Sequence, residues 1–123
     1  MEEFEDSNYM RWISLVSILE KNNYVCERDW KDEKEDFIYF VENLVGMKKY
    51  NVHIDPDWLN EDDFIPQWCQ ILDDKWKSQG VCMADFDIGS DSYVLFPCKT
   101  ADLKLLQDYA AQIGERIDFA KDS

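Results

Sequence analysis

Three aspartates and a tyrosine stand close together in the stretch Asp85-Phe86-Asp87-Ile88-Gly89-Ser90-Asp91-Ser92-Tyr93. Residues two apart on a strand point to the same face, so Asp85 and Asp87 are predicted side by side. Asp91 and Tyr93 would then approach from the returning strand of a hairpin. Carboxylates that converge in this way can hold a hard cation such as Mg²⁺ or Ca²⁺, act as a general acid–base pair, or attract a basic ligand. The first two uses find no support elsewhere in the chain. The spacing is not that of an EF-hand loop, and no glycine-rich loop is present to cradle a phosphate. His53 is the only histidine, and no serine or cysteine sits in a nucleophile elbow. Cys26, Cys69, Cys82 and Cys98 are dispersed and form no C-x-x-C pair, so zinc ligation is disfavoured as well. The expectation is no catalytic residue, no bound metal and no cofactor. Asp85, Asp87, Asp91 and Tyr93 then belong either to a partner-binding surface or to an ordinary hairpin turn.

Two further stretches combine carboxylates with an aromatic ring. Glu27 to Asp36 holds six acids and three bases around Trp30, where a strand hands over to a helix. Asp29, Trp30, Asp32 and Glu33 are its candidate binding residues, because tryptophan is enriched at the energetic centres of interfaces. The plainer account is that the acids cap a helix while the bases neutralise them. Asp55-Pro56-Asp57-Trp58-Leu59-Asn60-Glu61-Asp62-Asp63 holds five acids and no base. Asp55, Asp57, Trp58, Glu61, Asp62 and Asp63 should therefore project unbalanced negative potential from an irregular segment, the kind of place where binding loops lie.

The whole chain shares this bias. Its 123 residues include 27 acidic and 13 basic ones, a net charge of −14. Such a field repels nucleic acid and anionic membrane, and it draws in basic surfaces at a rate that salt suppresses. A composition 46% hydrophobic and 15% aromatic belongs to a folded chain. The length suits one domain over residues 1–123. No stretch approaches the roughly 18 apolar residues of a membrane span. Met1 is followed by Glu2, Glu3 and Glu5, the reverse of a basic secretory start, so a cytoplasmic protein with four reduced, buried thiols is expected.

The elements that must position these groups follow from periodicity. Ser7 is read as the cap of a first helix reaching Asn22, with Tyr9, Trp12, Ile13, Val16 and Leu19 inward and Leu15 and Ile18 widening the stripe. Tyr24 to Trp30 reads as a strand. Asp32 and Glu35 have capping-box spacing for a helix that buries Phe37, Phe40, Val41, Leu44 and Val45 and stops at Gly46. Val52-His53-Ile54 is a possible short strand. Pro66 fits a third helix, Glu61 to Ser78, only within its first turn, which puts the cap at Asp62 or Asp63. Val81 to Asp87 and Ser92 to Pro97 form a hairpin. Thr100 caps a last helix with Leu103, Leu106, Tyr109, Ala110 and Ile113 inward, and Ile117 to Phe119 can add an edge strand. The predicted fold is α+β, in the order α-β-α-(β)-α-β-β-α-β. It has a mixed or antiparallel sheet of about four strands with about four helices.

Two stretches carry a resemblance. Asp29-Trp30-Lys31-Asp32-Glu33, ahead of Glu35-Asp36 and an apolar helix, resembles the D-W-K-x-E/D helix start of a bacterial family known only as domain of unknown function 6630. Asp87-Ile88-Gly89-Ser90-Asp91-Ser92-Tyr93 is similar to that family's D-x-G-S-D-S-Y hairpin. The resemblance spans roughly Tyr24 to Phe119 and implies a fold more than a function, since the family has no assigned activity. By type alone, a small acidic domain without catalytic motifs also resembles the immunity proteins of bacterial toxin systems. The leading expectation is a non-enzymatic inhibitor whose acidic face occludes a basic, nuclease-type toxin. The alternatives are a cytosolic regulatory, protein-interaction domain, and a small metal-dependent enzyme built on Asp85, Asp87 and Asp91.

Overall fold

The computed structural model describes the backbone of residues 2–123 and the side chains of residues 8–123. Met1, read above as the start of the chain, lies outside the described residues, as do the side chains of Glu2, Glu3, Glu5 and Ser7. Strand β2 (Val81–Phe86) is buried along its whole length. A strand covered on both faces must be apolar on both, which the run Val81-Cys82-Met83-Ala84 satisfies. It pairs antiparallel with β3 (Ser92–Lys99) on one side and with β4 (Ile117–Phe119) on the other, and β1 (Cys26–Asp29) pairs with the far edge of β3. The sheet order is β1-β3-β2-β4, antiparallel throughout.

Alternation along β2 and β3 divides the core in two. Val81, Met83 and Leu95 face a cluster built on α2 (Lys34–Glu42), α3 (Val45–Lys49) and α4 (Ile65–Lys75). Cys82, Ala84, Phe86, Val94 and Cys98 face α1 (Glu2–Lys21) and α5 (Thr100–Gln112), meeting Trp12, Val16, Leu103 and Ala110. All four cysteines are free thiols and buried.

Several boundaries differ from the sequence reading. The first helix begins at Glu2, so Ser7 lies within it and not at its cap, and Tyr9, Leu15 and Ile18 are exposed instead of sharing its buried stripe. The first strand covers only Cys26–Asp29, and its predicted flanks Tyr24 and Trp30 are exposed. Asp32 does not cap the second helix: Glu33 takes that place, while Asp32 accepts two hydrogen bonds from Arg28 at 2.7 and 2.8 Å. Charge pairing across a tight turn has outcompeted capping. That helix ends at Glu42, leaving Phe40 and Val45 exposed instead of buried. Gly46 is no helix terminator. It sits inside α3, where a Cβ would come within 2.7 Å of Pro97 Cγ, so its role is close approach of helix to strand. Val52–Ile54 forms no strand, although Val52 and Ile54 are buried. The third helix starts at Ile65 with Pro66 in its first turn, and its cap is Phe64 and not Asp62 or Asp63. Gln67 accepts the free Phe64 N–H at 3.0 Å. In the last helix Lys99 holds the cap position in place of Thr100, and Tyr109 and Ile113 are exposed instead of inward.

Candidate functional site

Where β2 ends at Phe86 and β4 runs beside it, the sheet edge and the hairpin tip enclose an open cavity of about 700 Å³. Its lining includes Asp85, Asp87, Asp91 and Tyr93 from the hairpin, Trp30 from the turn after β1, and Arg116, Asp118 and Asp122 from the C-terminal segment. Five carboxylates thus share one cavity with a single guanidinium, and that guanidinium is already held by Asp118 at 3.1 Å. The sheet explains the gathering: Asp85 lies opposite Asp118 on β4 and Leu95 on β3, one residue from the strand end.

The three predicted aspartates occupy unlike environments. Asp85 is 6% exposed and its Oδ1 accepts the Val94 N–H at 2.8 Å. Burial raises its pKa to about 6, against the lowering effect of that N–H and of the Ser123 hydroxyl, with Asp87 and Asp118 adding like-charge repulsion. The same surroundings, burial first and Asp85 second, raise the Tyr93 phenol above its ordinary value. Asp87 lies one residue beyond the end of β2. It is exposed, and its carboxylate accepts the Gly89 N–H at 2.8 Å, bracing the hairpin loop. Asp91 is exposed on the loop. Among the described residues, no three of His, Cys, Asp and Glu are grouped so as to hold a metal ion. Asp85, Asp87 and Asp91 are brought to one cavity, but not into a coordination set.

The other two acidic stretches meet each other. Asp32 and Glu33, ahead of α2, line a second depression together with Glu61, Asp62, Asp63 and Phe64. Lys34 ties the stretches by donating to the Leu59 carbonyl at 2.8 Å. Trp30 stands between this depression and the hairpin cavity. It lines the latter, and its ring lies 6.2 Å from that of Phe64 in the former. Lys31 Nζ covers the Trp30 ring at 4.9 Å from its centroid, yet 42% of the residue stays exposed. Asp29, paired with Ser92 in the sheet, is exposed beside it.

Asp55, Asp57 and Trp58 are not part of this surface as the structure describes it. They form a 3-10 turn in which Asp55 accepts the Asp57 N–H at 3.0 Å. Trp58 is half-buried between His53, 5.5 Å away ring to ring, and Lys75, 5.3 Å above its centroid. Asp118 and Asp122 were missed from the sequence because they follow the last helix, far along the chain from the hairpin. The short Ile117–Phe119 alternation was the one available sign that they return to it.

The family comparison agrees with the motif reading. The chain matches the model of the domain of unknown function DUF6630 over residues 1–120, and it belongs to that family. The match takes in the N-terminal helix, which the motifs alone had left outside. No curated protein and no solved structure matches the chain.

Proposed function

We propose that this member of a family without assigned activity is a protein-binding domain that grips a basic partner through the acidic surface centred on Trp30. The supporting observation is the juxtaposition of two acidic depressions around one exposed indole. Carboxylates from four separate stretches come together there, while an aromatic side chain is left available as an anchor. Carboxylate clusters hasten encounter with a basic protein, and a desolvated aromatic slows its release. The finer reading is an immunity-type inhibitor. Its carboxylates would stand in for the phosphates that a nuclease toxin grips, so that substrate could not enter. Protection of a cell calls for a nanomolar dissociation constant, about −12 kcal/mol.

The test is capture of partners from the native host on immobilised wild-type protein and on the Trp30→Ala and Asp87→Lys/Asp91→Lys variants, with identification by mass spectrometry. The expected outcome is a basic protein held by the wild type and released by moderate salt. Trp30→Ala should weaken it by roughly 30-fold, the scale of a hot-spot residue. Inhibition of a nuclease by one equivalent of the domain would support the finer reading, and binding without inhibition would leave only the coarser one. A partner that is not basic, or a complex indifferent to salt, would sink both.

A further inference from the structure

On the side of the sheet away from Asp85, α1, α3 and α5 border a groove. Leu19 of α1, Val45 and Lys49 of α3, Leu105 of α5, and Phe86 and Phe96 of the sheet line a gap of about 390 Å³ that is mostly apolar. The flanks of α1 and α5 continue this character outward. Leu105 and Tyr109 are spaced by four on one flank of α5, Ile113 follows at its C-cap, and Leu15 and Ile18 precede Leu19 on α1. With Tyr24 at the groove's end, these six side chains are 43–59% exposed. A large side chain presents about 150–250 Å² when free, so together they offer on the order of 700 Å². That is large for an unoccupied apolar patch on a monomer, and it approaches the ~800 Å² per partner of a stable complex.

The charge on this face identifies what covers it. The groove's own lining carries one base and one acid, Lys49 and Asp102, and so is neutral in a chain of −14. A basic partner finds no excess carboxylate here, and an acidic one is repelled by the rest of the molecule. A neutral apolar surface complements another of its own kind. We propose that this face docks a second copy of the chain, the groove-flanking stripes meeting their mates across a two-fold axis. A two-fold contact uses the same patch on both copies. The carboxylate cavity lies across the sheet and stays open in the dimer.

The two surfaces respond oppositely to salt. Docking of a basic partner weakens as ions screen the attraction, whereas self-association of two −14 chains through a neutral patch tightens as ions screen their repulsion. Sedimentation of the full chain, from low to high micromolar concentration, should show a reversible dimer. Its dissociation constant should fall several-fold between dilute buffer and about 1 M salt. Leu105→Glu/Tyr109→Glu should yield a monomer with an unchanged far-ultraviolet spectrum, since both positions are already half exposed. Asp87→Lys/Asp91→Lys should still dimerise. A monomer under every condition would overturn the proposal. So would a dimer untouched by the α5 variant, or a different protein occupying this face while the chain itself never associates.

Discussion

The two sides of the sheet are covered by different kinds of structure. On one side, three short helices and irregular segments crowd over Val81, Met83 and Leu95, and Phe37, Trp68, Cys69 and Leu72 are wholly buried. On the other, two long helices cover Phe86 and Phe96 incompletely and keep several of their own apolar residues in solvent. The helix-rich side also holds the polar exceptions. Asp73, buried in α4, accepts the Met83 N–H at 2.8 Å, while its second oxygen has no hydrogen bond and Lys121 stands 3.9 Å off. Burial raises its pKa to about 6, partly offset by that N–H and by Lys121. Three short helices thus form the tighter layer, and two long ones form the looser. Packing follows how completely a segment's side chains are surrounded, not how long its helix is.

This contrast should be breakable by mutation. Leu72→Ala empties a fully buried site and is expected to cost about 3–5 kcal/mol, against about 1 kcal/mol for Leu106→Ala at the open groove, both read from urea unfolding. Equal losses would remove the distinction between the layers. Next in size is Gly46→Ala, which drives a methyl toward Pro97 and should cost about 1–3 kcal/mol. Acidification provides a third test. Asp73 and Asp85 have folded pKa values near 6, above their unfolded values, so the fold favours their protonated forms. Stability should therefore rise as pH falls from about 6.5 to about 4, by on the order of 1–2 kcal/mol per group. The gain should shrink in Asp85→Asn, and a melting temperature that falls steadily over that interval would contradict the burial argument. The smallest effect is expected for Lys104→Ala. It removes an exposed ion pair with Asp108 at 4.0 Å and should change stability by less than about 0.5 kcal/mol.

The hairpin and the final helix were legible in the sequence because their patterns are local. Continuous apolar runs flank a Gly89-containing turn, and period-four spacing follows Lys99. Val52-His53-Ile54 shows the limit of that logic. Its alternation is real and both apolar residues are buried, but no strand lies alongside. Val52 N–H goes to the Met47 carbonyl and Ile54 N–H to the Glu42 carboxylate. Alternation records burial and cannot say which group receives the backbone hydrogen bonds. The carboxylate clusters were legible as composition, yet their grouping was not. Glu61 to Asp63 meets Asp32 and Glu33 only through the fold, and Asp118 reaches Asp85 only through a three-residue edge strand.

Three tryptophans also tie down the irregular segments from within. The indole N–H of Trp12 donates to the Asp87 carbonyl, that of Trp68 to the Asn60 carbonyl, and that of Trp76 to the His53 carbonyl, at 2.9, 2.7 and 3.0 Å. Each ring therefore reports on a different loop, and the molecule carries its own optical gauge. Release of any one of these loops would wet the corresponding indole and move part of the ultraviolet emission to longer wavelength. Single-tryptophan variants could then follow the hairpin tip, the acidic turn and the His53 segment one at a time, with no added dye.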